Sequence, residues 1–263
     1  MKKPIVAAQL YSVRAFTAEA AEFPKTMAKI KKIGYDYAQV SGVQAKLTPA
    51  EIRQAMLDNG VEPIGAHIGL PIWMDDFKTA IDTCHGLGIE YAAIPWMNFK
   101  EHLSWTVADW KKLFRKFDQL ASKALKEGVK LQYHNHDFEF NQVGIKNGKD
   151  GKSLLELMFD TTKTLQGEPD FGWVVRGGQE PVAWARRMKG RIDQVHLKDR
   201  SRIGGEFCLR ALGQGRIDWP AIIKECRKSG THTFIVEQDN CPATNDPFKS
   251  LSISREYVRG ILG

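Results

Sequence analysis

Eight times along this chain a short apolar run is followed by a longer amphipathic one, and that alternation constrains the fold more than any single motif. The apolar runs read as strands over residues 5–10, 37–40, 62–67, 91–95, 130–134, 165–170, 192–197 and 233–237, the sixth being the weakest. Helical periodicity fills the intervals at 18–33, 48–59, 75–87, 107–127, 151–162, 180–188, 219–229 and 246–262. Glycines stand just before six of the strands, at Gly34, Gly60, Gly88, Gly128, Gly190 and Gly230. A glycine there lets a helix end in a left-handed residue and turn into the next strand.

Eight strand–helix units in 263 residues match the size of a (β/α)8 barrel. No linker-like stretch divides the chain, so the expected architecture is an α/β, single-domain TIM barrel over residues 1–263. An open doubly wound sheet would need a glycine-rich phosphate turn after the first strand, and residues 9–14 hold no glycine. The one Gly-x-Gly, Gly213-Gln214-Gly215, follows a loop rather than a strand and argues little for nucleotide binding.

Composition excludes several other classes. With 43% hydrophobic and 26% charged residues the chain is globular rather than disordered. No apolar run approaches the roughly 18–20 residues of a membrane helix, and the N-terminus opens directly into a strand. A cytoplasmic protein without membrane contact is expected. The four cysteines form no C-x-x-C pair, which points away from structural zinc and disulfides. The net charge of +7 is scattered, and Lys111, Lys112, Arg115, Lys116 and Lys123 read as a solvated helix face rather than a nucleic-acid surface.

Active sites of such barrels lie at the C-terminal ends of the strands. Polar and metal-capable side chains gather there: Gln9, Gln39, His67, His134 with His136, Asp170, His196 with Lys198, and Glu237 with Asp239. Glu237 follows Phe234-Ile235-Val236, and a carboxylate on so buried a strand is costly unless paired or metal-bound. His134, Asp170, His196 and Glu237 together offer two imidazoles and two carboxylates. That set suits Mn²⁺, Zn²⁺, Co²⁺ or Fe²⁺ better than Mg²⁺ or Ca²⁺. Either His134 or His136 could be the strand-5 ligand, because a one-residue shift flips a strand side chain outward.

The stretches QLYSVR (9–14), YHNHDFEF (133–140), DFGWVVRGG (170–178), VHLKD (195–199), LGQGRIDW (212–219) and FIVEQD (234–239) resemble the xylose isomerase-like TIM barrels, in particular the sugar phosphate isomerase/epimerase group. The resemblance covers essentially the whole chain. It implies one divalent metal ion, Mn²⁺ first with Zn²⁺ or Co²⁺ as alternatives, held by one ligand from each of strands 5 to 8. The group's commonest set is Glu, Asp, His, Glu; Asp170, His196 and Glu237 match it, and His134 departs from it. Two-base epimerisation at one carbon then lacks its second glutamate.

The activity implied is that of a metal-dependent sugar isomerase or epimerase acting on a ketosugar, keto-glycoside or inosose. It would proceed by proton abstraction next to a carbonyl and an enediolate that the metal stabilises. The alternative is β-elimination: dehydration of an inosose or cleavage of a 3-keto-glycoside. Glu237 is the expected base, with His67, His136 and Lys198 as further acids or bases. Lys198 would serve as an acid if the metal depressed its pKa. Substrate contacts are expected from Gln9, Tyr11, Trp96, Glu139, Trp173 and Arg202, with Arg176 as a second anion-binding candidate. The partner is a small carbohydrate, and a homo-oligomer is allowed. A nuclease of the endonuclease IV type needs three metals; Trp173 stands where that branch places a histidine, and no Asp-x-His follows strand 7. A non-catalytic sugar-binding barrel is the remaining reading.

Overall fold

The computed structural model describes residues 3–102, 104–140, 152–203 and 206–263. Ten strands appear among them: β1 (Ile5–Gln9), β2 (Tyr37–Val40), β3 (Glu62–His67), β4 (Tyr91–Ile94), β5 (Lys130–His134), β6 (Gln166–Glu168), β7 (Gln194–Leu197), β8 (Asp199–Ile203), β9 (Glu206–Arg210) and β10 (Thr233–Val236). Eight of them form one parallel sheet in the order β6-β5-β4-β3-β2-β1-β10-β7. The barrel closes between β6 and β7, where His196 N–H donates to the Pro169 carbonyl at 2.9 Å and Asp170 bridges to His196. The expected single-domain (β/α)8 TIM barrel is therefore observed.

Alternation within each strand divides apolar from polar. Leu131 and Tyr133 of β5, Val195 and Leu197 of β7, and Phe234 and Val236 of β10 belong to the main hydrophobic cluster between sheet and helices. Their neighbours Gln132, His134, Gln194, His196 and Thr233 are equally buried but polar and lie outside that cluster. The period of two thus builds a greasy shell around a polar lumen. The helices supply the outer half of the shell: Val107–Lys126, started by a Thr106–Asp109 capping box, buries Trp110, Phe114 and Phe117. All six helix-end glycines have positive φ, from 67° to 106°.

Four departures from expectation matter. The first helix begins at Phe23, not residue 18, because residues 10–16 form a 3-10 turn and 17–22 a loop. Short helices at Leu70–Asp75 and Phe171–Arg176 lie where loops were expected. Strand 6 stops at Glu168, so Asp170 sits two residues beyond it as the N-cap of the second of these short helices. The antiparallel hairpin β8–β9 was not anticipated; its strands carry the polar sequences DRSRI and EFCLR, without the apolar signal of a barrel strand.

The Gly-x-Gly has a structural role. Gly213 and Gly215 donate their N–H groups to Asp199 Oδ2 at 2.9 and 3.1 Å, so the motif cradles a carboxylate of the chain itself. Gly172 is required for a different reason: a Cβ there would lie 2.1 Å from the Lys198 carbonyl oxygen. That close approach seats the short helix against the strand end that carries Lys198. Gly172→Ala is expected to cost about 1–3 kcal/mol of unfolding free energy in a denaturant titration, through overpacking against rigid backbone.

Candidate active site

The polar lumen is a connected network. Gln9 Nε2 donates to Gln39 Oε1 at 2.6 Å, and Gln39 Nε2 donates to Glu168 Oε1 at 2.5 Å. Glu168 Oε2 meets three imidazoles: His67 Nε2 at 2.8 Å, His196 Nε2 at 3.2 Å and His134 Nδ1 at 3.6 Å. Burial alone would raise the Glu168 carboxyl, but His196 and His67 hold it well below the usual range. Glu168 fixes the His67 ring through Nε2, and Ser41 Oγ contacts its Nδ1 at 3.3 Å.

A second cluster lies nearer the mouth. His196 Nδ1 contacts Glu237 Oε2 at 2.7 Å. The Lys198 ammonium lies 3.0 Å from Asp170 Oδ2, 3.1 Å from Glu237 Oε2 and 2.9 Å from Asp239 Oδ1. Asp170 divides its carboxylate: Oδ1 caps the short helix through Trp173 N–H at 3.1 Å, while Oδ2 faces the lysine without forming a hydrogen bond. Burial disfavours a charged His196, yet Glu168 and Glu237 raise its pKa to about 10. Burial likewise opposes the Lys198 charge, and Asp170, Glu237 and Asp239 overcome it and raise its pKa. Glu237, pushed up by burial, is held well below the carboxylate range by Lys198 and His196. Asp239 is raised to about 6, first by burial and then by Glu237.

One ligand atom from each of His134, Asp170, His196 and Glu237 falls within 4.8 Å of every other, and His67, His134, Glu168 and His196 form an overlapping group. Three buried carboxylates, Glu168, Asp170 and Glu237, and half-buried Asp239 crowd around Lys198 and His196. The residual negative charge matches a divalent cation. His134 Nδ1 and Asp170 Oδ2, both sealed from solvent, have no hydrogen-bond partner. Burial, followed by the charge of His196, keeps His134 neutral, the form a metal ligand requires. The buried imidazoles and carboxylates are therefore a candidate site for a divalent metal.

A cavity of about 500 Å³ opens above the cluster, and Tyr11, His67, Trp96, His136, Lys198 and Glu237 contribute to its wall. Tyr11 and half-exposed Trp96 thus form part of its rim. His136 is tilted against Trp173, with ring centres 5.3 Å apart, and its buried Nδ1 is unpartnered. Burial and then the Lys198 charge lower its pKa to about 3, so the ring is neutral. It stands outside both groups of converging ligand atoms, whereas His134 belongs to both.

Several expected contacts are placed elsewhere. Gln9 is fully buried beneath the mouth as a support for Gln39 and is not on the cavity wall. Glu139 is also fully buried; it accepts from Tyr133 Oη at 2.7 Å and His136 N–H at 2.9 Å, which braces the turn after β5. Trp173 faces the neighbouring cavity. Arg176 is paired with Asp137 at 2.7 Å. Arg202 belongs to β8, and its side chain lies outside the described residues. The depression expected for Lys198 would have to come from a bound metal; the chain's own Asp170, Glu237 and Asp239 raise its pKa against burial. Glu168 was absent from the expected site, and Gln39 and Asp239 stood among the strand-end residues without an assigned role. Spacing could have found the first: Glu168 precedes Asp170 by two, the same-face period of a strand.

The model of the xylose isomerase-like TIM barrel family matches residues 27–257, and the chain belongs to that family. An inosose dehydratase from Clostridium beijerinckii (strain ATCC 51743 / NCIMB 8052) is 28% identical over 171 residues, which cover 57% of this chain and 54% of that protein. The match to such curated relatives thus spans little more than half of their length. A sugar phosphate isomerase/epimerase from Parabacteroides distasonis ATCC 8503 superimposes with a TM-score of 0.81 at 22% identity, covering 98% of this chain and 94% of that one. An L-ribulose 3-epimerase gives a TM-score of 0.71 at 17% identity over 99% and 95% of the two chains. These two structures share the fold. No described helix is long and apolar enough to cross a membrane.

The bracing role of Glu139 has a pH signature. Burial raises its carboxyl to about 8, so the folded state holds a proton that the unfolded state releases near the ordinary 4.5 of a glutamate. Stability should therefore fall as pH rises from about 5 to 8 and level off above. Glu139→Gln should remove that contribution to the slope, measured as the denaturant midpoint across this range.

Proposed function

We propose that this protein removes a proton next to the carbonyl of a ketosugar, keto-glycoside or inosose and then expels a β-oxygen substituent, as a metal-dependent lyase or dehydratase. The observation that carries the reading is the convergence of His134, Asp170, His196 and Glu237 within 4.8 Å at the floor of a polar cavity. Those four residues would hold the divalent metal, Mn²⁺ by preference, which when bound polarises the substrate's carbonyl oxygen.

The chain's own groups supply the rest. Glu237 is kept ionised by Lys198 and His196, so it can accept a proton. Lys198 remains an ammonium and places a hydrogen-bond donor beside Glu237. His67 and neutral His136 stand on the same cavity wall. The imidazole whose Nε2 Glu168 fixes, His67, is the group assigned to proton transfer at the leaving oxygen. The carbon–hydrogen pair becomes a double bond, the β carbon–oxygen bond breaks, and the oxygen leaves with a proton as water or an alcohol. No oxidant is needed.

Elimination is favoured over two-base epimerisation because the cavity wall joins Glu237 to the imidazoles of His67 and His136, while the other carboxylate there, Asp239, is engaged by Lys198. The inosose dehydratases among the relatives agree with that choice. Isomerisation at the same carbonyl is the second reading; it shares the first proton transfer.

The test is a proton NMR screen in deuterated water with Mn²⁺ present, over inososes, 3-keto-glucosides, ketoses and ketose phosphates. An unsaturated product or a released alcohol supports elimination. Deuterium at the neighbouring carbon with all oxygens retained would establish isomerisation instead. Glu237→Gln should reduce solvent deuterium exchange by at least about 100-fold, the scale of a lost general base; retained exchange removes Glu237 from that role. His134→Ala should lower bound metal, counted by elemental analysis, more than His136→Ala does. The reverse order would exchange their roles.

A further inference from the structure

A second cavity of about 710 Å³ adjoins the first, and its walls include Arg14, Trp173, Arg176, Arg200 and Asp239. Asp239 belongs to both cavities. Trp173 links the second cavity to the charged cluster, because Lys198 Nζ lies 4.9 Å and Arg200 Cζ 4.0 Å from the same ring centre. Arg200 is only 3% exposed, yet among the described residues its Nε and Nη2 have no hydrogen-bond partner. Those two nitrogens form the side edge with which a guanidinium grips two oxygens of a carboxylate or phosphate.

A buried guanidinium is expensive unless it is paired and hydrogen-bonded; Asp170, Asp239 and Asp137 offset part of the burial cost of Arg200 through their charge, but none accepts a hydrogen bond from its Nε or Nη2. Asp239 is engaged by Lys198, and Arg176 is matched by Asp137. Arg14 donates only to the backbone carbonyls of Tyr11 and Asp239, each at 2.9 Å. Among the described residues, therefore, two guanidiniums face this cavity without a carboxylate of their own. The hairpin position that supplies the inner one is fixed from outside, since Asp199 is cradled by Gly213 and Gly215, and Arg216 N–H donates to the Arg200 carbonyl at 2.9 Å.

We infer that this cavity is an oxyanion subsite, in which Arg200, supported by Arg14, binds a carboxylate or phosphate carried by the sugar whose carbonyl carbon is presented to Glu237. The substrate class becomes an acidic or phosphorylated carbohydrate. Sequence reading pointed to Arg202 and Arg176 for such a role; Arg200 is the one with donors to spare. The inference rests on the carbohydrate chemistry proposed above.

The experiment is calorimetric titration of the metal-loaded protein with glucuronate, glucose 6-phosphate, inorganic phosphate and neutral glucose. At least one sugar anion should bind about tenfold or more tightly than glucose, as expected for a charge-assisted pair. Preference for glucuronate identifies the group as carboxylate, and preference for glucose 6-phosphate identifies it as phosphate. Arg200→Met should erase the preference while leaving the ligand-free melting temperature unchanged or higher, because it removes an unpaired buried charge. Arg200→Lys, the safer variant for folding, should lose most of the preference, since an ammonium lacks the fork.

Equal binding of charged and neutral sugars, or binding of inorganic phosphate alone, would overturn the subsite. So would a preference that survives in Arg200→Lys, or a fall in melting temperature of more than about 5 °C in Arg200→Met, which would mark the arginine as structural. Binding is read without turnover. A protein that shows the preference but no deuterium exchange loses the catalytic reading alone, and one that shows exchange without preference loses only the subsite.

Discussion

Three carboxylates sealed in the upper lumen of the barrel, with a fourth half-buried beside them, set the terms for everything around them. Glu168, Asp170 and Glu237, crowded further by Asp239, cannot all remain ionised in a low-dielectric interior unless positive charge is brought to them. The chain answers with a lysine that touches three of them and a histidine wedged between two. The charge still outstanding makes the cluster a receptor for a cation. The same electrostatic tension keeps Glu237 ionised in a place where burial alone would protonate it.

The scaffold meets this demand by separating its two jobs. Stability resides in the shell, where outward strand residues meet Trp110, Phe114, Phe117 and their counterparts on other helices. Chemistry resides in the lumen, where Gln9, Gln39 and Glu168 form a hydrogen-bonded floor that fixes the imidazoles above it. Such a floor is rigid because each buried polar group restrains the next. The loops then add specificity. Asp199 and its two glycines anchor the hairpin, and the hairpin carries Arg200 to the edge of the site.

Asp170 shows why local and global readings must be combined. From sequence it is equally a helix cap or a metal ligand. In the structure its two oxygens are divided, one to the helix N-terminus and one to the charged cluster. Gly172, two residues on, is an unremarked glycine in sequence and the point of closest approach to the Lys198 backbone in space.

The sequence by itself determined the barrel, the positions of its eight strands and the convergence of His134, Asp170, His196 and Glu237. The strands follow from periodicity, whose period of two decides which of their side chains enter the lumen; Asp170, beyond its strand, was legible only by its place at a strand end. The sequence also contained Glu168 at the right spacing, hidden by a strand too short and polar to mark its own end. Only the tertiary structure decided that Glu139 and Gln9 are buried in hydrogen bonds off the cavity wall, that three carboxylates surround Lys198, and that two Arg200 nitrogens have no hydrogen-bond partner among the described residues. Those facts depend on which charges lie within a few ångströms across the barrel, and distances between residues so far apart in the chain have no local signature.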